Sequence, residues 1–419
     1  MPKHWIITNR RVQPDARTGH DVDEGRQSDR LDGLPTFRVA TLQTRTLGDT
    51  PTDDELKDAV RFVPDAFIDD YRETLRGGKP KQGTAHLFRE LYDSMKAEVR
   101  RCEADGTTAT RKGDALVFIH GFNYNWADSL KHLHRLTRVY ADAAPSPVSH
   151  IVYLSWPSWG RQLAYKNDQE IALQAGIAFG RLFAKVVRFY RDAFGADPDD
   201  RRRAPAEFCG ARVHLAAHSM GNQVLEQFMR TFEDVGRLRT PVFGEALLLH
   251  ADADWTALEP GRPMHTLPAF ADRVHVYNHT SDDALRISEH LKNDARRLGR
   301  HGPRSISPGV LSDRTLVVDC SDLKGEPGGK NDRDAKDARV LLNAATESTP
   351  SQAAKDYYSV AKSVLPSKVG QRERIFDHWG YLHRPEEVAD IWQVLRGVSS
   401  SKIPGRESRS GPIYRLLPG

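Results

Sequence analysis

The chain has 419 residues and a formal net charge of +4, from 61 lysines and arginines against 57 aspartates and glutamates. Charges of both signs are interspersed, which excludes the one-signed surface of a nucleic-acid-binding protein, and no apolar run reaches the roughly 18 residues of a membrane span. Hydrophobic residues make up 39% of the chain, enough for a substantial core accompanied by long polar insertions.

Residues 5–8 read as a short strand, followed by a polar surface stretch through Gly33. Residues 37–42 alternate apolar and polar positions and read as a second strand. Residues 50–83 hold Asp- and Pro-rich turns with one short helix. From Ala85 to Cys102 the positions Leu87, Leu91, Met95 and Val99 recur every four residues, one face of an amphipathic helix.

The central part changes character. Mainly apolar runs at 115–119, 151–154, 213–217, 242–249 and 274–277 suit strands buried on both faces of a mainly parallel sheet. Helical patterns at 127–140, 168–194 and 223–232 lie between them, so the series is βαβ and the sheet is doubly wound. Residues 315–318 read as a final strand, and the charged segment 324–339 as a surface loop or disordered insertion. Pro385, Glu386 and Glu387 open a last helix with Val388, Ile391, Trp392 and Leu395 on its apolar face. The expected organisation is one domain over 1–395, with its core at about 113–395 and N-terminal strands and a helix in 1–112; a polar basic tail at 396–419 is mobile or lies on the surface.

The N-terminus is basic but has no long apolar region behind it, so it does not read as a signal peptide. Cys102, Cys209 and Cys320 lie far apart without a CxxC pair, which argues against a disulfide scaffold or zinc knuckle and fits a reducing compartment. The expectation is a cytoplasmic protein.

The segment from Val213 to Leu225 carries the strongest chemical signal. A buried strand runs directly into Ala217-His218-Ser219-Met220-Gly221 and a helix begins directly after it. This is the Gly-x-Ser-x-Gly elbow with Ala217 in place of the first glycine; small neighbours two residues either side relieve the tight turn that exposes the serine. The alternative reading makes Ser219 a helix cap. An oxyanion hole needs a second donor from the loop after an earlier strand, and Ile119-His120-Gly121-Phe122-Asn123 fits: the amides of Phe122 and Met220 form the pair. His120 reads as a residue that shapes that loop.

In this fold the acid follows a late strand and the histidine comes last. Asp282 and Asp283 follow one strand, and Asp252 and Asp254 another; His378 and His383 are the late histidines.

The chain resembles the bacterial α/β-hydrolase family catalogued as domain of unknown function 900. The matching pieces are Thr8-Asn9-Arg10, the segment from Phe118 to Asn123, Ser155-Trp156-Pro157-Ser158, the segment from Ala217 to Asn222, and the stretch from Tyr277 to Ser288. The resemblance implies an α/β-hydrolase fold and a serine triad, without a substrate. It selects Asp282 as the acid, with an N-cap as that residue's alternative role and Asp283 as the better cap by position. Asp252 matches a family aspartate and stands as the alternative acid or as support for the site. The resemblance also selects His378 as the base, with His383 as the alternative. The long polar insertions at 50–83 and 320–370 depart from the family.

Together these readings predict a serine hydrolase of the carboxylic ester class that needs no metal or organic cofactor. Its substrate is a small-molecule or lipid-like ester, with Trp156, Trp159, Phe179 and Trp379 as candidates for an acyl site. A thioesterase, amidase or peptidase would use the same triad, and a non-catalytic binding protein with a protein partner is the reading from a different class.

Overall fold

The computed structural model describes residues 3–13, 21–27, 30–31, 34–35, 37–44, 47–64, 83–106, 111–158, 165–194, 210–236, 242–289, 295–323 and 378–418. Eleven strands form the main sheet: β1 (His4–Thr8), β2 (Arg38–Leu42), β3 (Val60–Phe62), β4 (Asp114–Ile119), β5 (Val148–Ser155), β6 (Val213–His218), β7 (Phe243–Leu249), β8 (Ala271–Asn278), β9 (Thr315–Asp319), β10 (Arg406–Ser408) and β11 (Ile413–Leu416). Their order across the sheet is β10-β11-β9-β8-β7-β6-β4-β5-β1-β2-β3. Every neighbouring pair from β11 to β1 is parallel, and the outer strands β10, β2 and β3 pair antiparallel. The predicted doubly wound, mainly parallel α/β sheet is the one observed.

The central strands are apolar on both faces because both are covered. In β4, Ala115, Val117 and Ile119 face one core layer while Leu116 and Phe118 face the other. The same alternation divides Leu215 and Ala217 from Ala216 in β6, and Ala246 and Leu248 from Leu247 and Leu249 in β7. Each large aliphatic side chain so buried contributes roughly 1.5–3 kcal/mol.

The named helices are α1 (Asp53–Asp58), α2 (Gly83–Ala104), α3 (Trp126–Leu136), α4 (Tyr165–Phe194), α5 (Gly221–Gly236), α6 (Asp283–Ser288) and α7 (Pro385–Leu395). Leu87 and Met95 of α2, Phe179 of α4 and Phe228 of α5 enter the first layer; Leu130 and Leu133 of α3 and Ile391 and Val394 of α7 enter the second. No helix among the described residues is long and apolar enough to cross a membrane.

Several elements differ from expectation. The polar stretch after β1 contains a two-stranded hairpin, Arg10–Gln13 with Asp21–Gln27. The helix predicted over 127–140 ends at Leu136 and continues as a wider turn over Thr137–Ala141. β5 is longer than its apolar run because Ser149 and His150 are buried within it, His150 Nδ1 facing the Lys3 carbonyl at 3.2 Å. The segment after Arg396 is no mobile tail. It forms β10 and β11, since Ile403 and Leu416 are buried and Arg406 closes a double contact with Asp390, Nε–Oδ1 2.5 Å and Nη2–Oδ2 2.7 Å. The charged segment 324–339 and most of the 320–370 insertion lie outside the described residues.

Candidate active site

The chain visits β4, moves outward to β5, then returns across β4 to β6. The crevice between β4 and β6 is therefore a point where the winding reverses, and in open α/β sheets the C-terminal strand ends at such a point receive ligands.

Ser219 sits at the end of β6, where its backbone turns left-handed (φ 52°) before α5 starts at Gly221. A non-glycine residue in that region costs roughly 1–3 kcal/mol and persists only where its surroundings hold it. Here the holding contacts are visible. The Ser219 amide donates to the Leu249 carbonyl at 3.1 Å. Its carbonyl accepts from the amides of Asn222 and Asp252, both at 3.0 Å, and from Asn222 Nδ2 at 3.1 Å. Asn222 Nδ2 also reaches the Ala217 carbonyl at 2.9 Å, so one side chain clamps both ends of the turn. The two glycines of the neighbourhood are steric requirements: a Cβ on Gly221 would lie 2.6 Å from the carbonyl oxygens of Ile119 and His120, and one on Gly121 would lie 2.8 Å from Ser219 Cβ. Ala217, which stands in place of the first glycine of the elbow, lies within β6 and is buried in the first core layer.

The loop after β4 is thereby brought directly beside Ser219. Met220, at the head of the sixteen-residue α5, has an amide with no hydrogen-bond partner among the described residues. Helix N-termini favour negative charge. Phe122 follows Gly121 and packs its ring edge-on against Tyr165 at 5.3 Å. Asn123 is left-handed (φ 66°), and its amide donates to Ser158 Oγ at 2.8 Å. His120 shapes this loop, as its position at the strand end predicts. Its Nε2 accepts from the Trp156 amide at 3.1 Å, so Nδ1 carries the proton toward the Gly121 carbonyl at 2.8 Å. Burial, aided by Arg10, pushes its pKa down to about 3, so the ring is neutral. Arg10 braces the same loop from below, with Nη2 on the Tyr124 carbonyl at 2.7 Å and Nη1 on the Ser158 carbonyl at 3.4 Å.

The histidine and the acid meet across 96 residues of sequence: His378 Nδ1 lies 2.7 Å from Asp282 Oδ2, and both are buried. With Nδ1–H donating to the carboxylate, Nε2 is left as the acceptor. The loop bearing His378 is anchored to the residue before Ser219, because His218 Nε2 donates to the His378 carbonyl at 2.8 Å and the two rings are 4.7 Å apart. Burial and the neighbouring His378 and His250 push the His218 pKa well down, so that ring is a neutral donor. For Asp282, burial opposes ionisation, but His378 and His250 outweigh it and hold the carboxyl well below the usual range. Asp282 also caps α6, its Oδ1 accepting from the Leu285 amide at 2.9 Å. One carboxylate oxygen thus meets the histidine while the other caps the helix. Asp283, the better cap by position, is instead the first residue of the helix and pairs with Arg286 at 2.7 Å.

The alignment model for the family described as alpha/beta hydrolase of unknown function (DUF900) matches residues 99–192 and 205–330, more than half of the chain. The chain belongs to that family. No curated protein and no solved structure matches it. Within this alpha/beta hydrolase the matched region takes in Phe122, Ser219, Met220, Asp252 and Asp282, while Thr8-Asn9-Arg10 and His378 lie beyond its ends.

The alternative site residues of the alpha/beta hydrolase face elsewhere. Asp252 accepts from Tyr165 Oη at 2.5 Å and Ser288 Oγ at 2.6 Å, and its amide supports the Ser219 carbonyl; it does not meet His378. His383 lies in the short turn Gly380–His383, its Nε2 2.9 Å from Arg135 Nη2. Trp156 and Phe179 are core residues, Trp156 stacking on His120 at 5.2 Å; Trp159 lies outside the described residues. Trp379 is half-buried beside His378, with Nε1 3.2 Å from Tyr124 Oη.

Sequence reasoning missed His250 and Glu387. His250 Nε2 meets Glu387 Oε1 at 3.0 Å, and its Nδ1 lies 3.6 Å from Asp282 Oδ2. Glu387 reads in the sequence as a first-turn acid of the last helix, yet it is fully buried. The available signal was its place one turn before Ile391 and two before Val394 on the inward face of α7.

Proposed function

We propose that this alpha/beta hydrolase is a serine hydrolase acting on carboxylic esters. The observation that carries the reading is the 2.7 Å His378–Asp282 pair, held through His218 against the strained turn of Ser219. In this reading His378 Nε2 takes the Ser219 proton as Oγ attacks the ester carbonyl, while Asp282 fixes the tautomer and stabilises the imidazolium. The amides of Phe122 and Met220 hold the tetrahedral oxyanion. The C–O bond breaks as His378 passes its proton to the leaving alcohol, giving an acyl-serine. Water, activated by the same histidine, releases the acid and restores Ser219.

Two features support an acyl substrate of small-molecule or lipid-like type. Phe122 and Tyr165 form an aromatic wall beside the loop after β4, and Trp379 adjoins the histidine. The experiment is labelling with a fluorophosphonate probe, followed by hydrolysis of acyl esters of graded chain length with thioester and anilide controls. Wild type is expected to label and to cleave esters, and Ser219→Ala to do neither. A folded wild type that resists the probe and cleaves nothing in the panel would refute the reading.

A further inference from the structure

The buried His250–Glu387 pair is used by no step of the mechanism above. His250 follows β7 directly in a left-handed conformation (φ 43°), which aims its ring between two carboxylates. The Asp282 oxygen it approaches at 3.6 Å is the same Oδ2 that His378 meets at 2.7 Å. Glu387 Oε2 is buried without a hydrogen-bond partner among the described residues, and a Cβ on Gly380 would lie 2.0 Å from it, so the glycine two residues after His378 leaves the space this carboxylate occupies. A Cβ on Gly299 would stand 2.2 Å from the His250 carbonyl carbon, so a second glycine accommodates the strained turn. Buried carboxylates are destabilising unless a charge answers them.

We infer that Glu387 and His250 form a second dyad behind Asp282, in which a cationic His250 shares the Asp282 charge and sets the pH range over which His378 works as a base. The inference rests on the Ser219–His378–Asp282 reading, and it makes His250 and Glu387 positioning residues. Burial disfavours the imidazolium, but Glu387 and Asp282 outweigh it and lift the His250 pKa to about 9. The other titratable groups around the pair are His218 at the end of β6, His279 after β8, His378, Arg384 before α7, and Tyr140 and Cys320, whose ionisation burial and Glu387 oppose. Burial keeps His218 and His279 neutral, so His250 and Arg384 are the cations and Asp282 and Glu387 the anions of the cluster. Arg384 Nη1 is drawn to the Leu323 carbonyl at 2.6 Å, whereas the His250 ring lies 6.1 Å from that of His378. Loss of the His250 charge leaves Asp282 less opposed. The protonated form of the base is then favoured, and a higher pH is needed to free it.

The test uses His250→Asn, since asparagine tolerates positive φ, and Glu387→Gln, which keeps the strained residue intact. Fluorophosphonate labelling rate and ester kcat/KM are measured against pH, and the ring signals of His250 and His378 are followed by NMR over the same range. In His250→Asn the acid limb is expected to move up by about one to two pH units, the scale of a unit charge at this separation with an effective dielectric near 20, and in Glu387→Gln, which removes an anion as it lowers the His250 charge, to move up by less. His250 in wild type is expected to be an imidazolium at neutral pH, and in Glu387→Gln to titrate lower. A merely structural pair would lower the rate without moving the limb, and that result overturns the inference, as does a His250 that is neutral in wild type at pH 7. If wild type neither labels nor hydrolyses, the triad reading has failed. His378 ring signals that ignore His250→Asn and Glu387→Gln then overturn the coupling as well, and signals displaced upward uphold it.

Discussion

Asp282 divides its work between two oxygens, so substitution can separate them. In Asp282→Asn the amide oxygen still accepts from the Leu285 amide, 2.9 Å from Oδ1 in wild type, and keeps the α6 cap. The amide nitrogen replaces Oδ2 and presents a donor to His378 Nδ1 across 2.7 Å. Two donors cannot share that gap, so the ring must turn its Nδ1 lone pair to Asp282 and carry its proton on Nε2, which then cannot accept from Ser219. The expected loss is about ten-thousandfold in kcat, or roughly 5.5 kcal/mol of transition-state stabilisation. Asp282→Ala suffers the same loss of kcat and also loses the cap, which is worth about 1 kcal/mol. Both variants lose the charge beside His250, so that contribution cancels between them. Ester turnover and urea midpoints measured on the two together give the result. Equal midpoints would show that Oδ1 does not cap the helix, and an Asp282→Asn enzyme within tenfold of wild-type kcat would show that Asp282 is not the acid.

The other predictions address the turn, the alternative residues and pH. Gly221→Ala places a methyl group 2.6 Å from two backbone oxygens that cannot rotate away. A loss of about 1–3 kcal/mol in urea unfolding is expected, and an unchanged midpoint would contradict the packing. His378→Ala is expected to be inactive, whereas His383→Ala and Asp252→Asn keep kcat within tenfold of wild type; an inactive but folded His383→Ala reverses the assignment. The His250 pKa is raised in the fold from 6.5 to about 9, so its stabilisation is fully present below pH 6.5 and is lost as pH rises through 9. The amount is on the order of 3 kcal/mol, read as a falling urea midpoint over that window, and Glu387→Gln is expected to flatten the fall.

Much of this geometry is written in local pattern. The run before His120 is apolar from Ala115 to Ile119 and the run before His218 is broken only by His214, a pattern that marks strands covered on both faces. Ser219 between a strand and a helix identifies the turn without any coordinate. Asp282 was harder to read, because capping and holding a histidine look like rivals until each oxygen is given its own partner. The pairing of His250 with Glu387 was illegible, since the helical spacing of Glu387 points inward without naming a partner and a polar residue at a strand end has ordinary reasons to be there. Only their meeting, 137 residues apart in sequence, shows them to be buried partners. The last strands were missed for a related reason. The charged and Ser-rich segment after Arg396 hides Ile403 and Leu416, and the strand at Ile413–Leu416 is held by pairing with β9 on one side and β10 on the other.

These last strands have a bearing on how the molecule is made. β11 pairs with β9, and Arg406 neutralises Asp390 on the helix that carries Glu387. A chain cut after Arg396 would leave β9 as an open edge inviting association with other chains. It would also remove the Arg406 contacts of Asp390, leaving the Tyr277 hydroxyl, 2.6 Å away, as its side-chain hydrogen-bond partner among the described residues. On the ribosome the same dependence becomes a matter of timing. Ser219 and Asp282 emerge long before the strand that locks α7 in place, so the nascent protein carries an unfinished site until residues near Leu416 have cleared the exit tunnel.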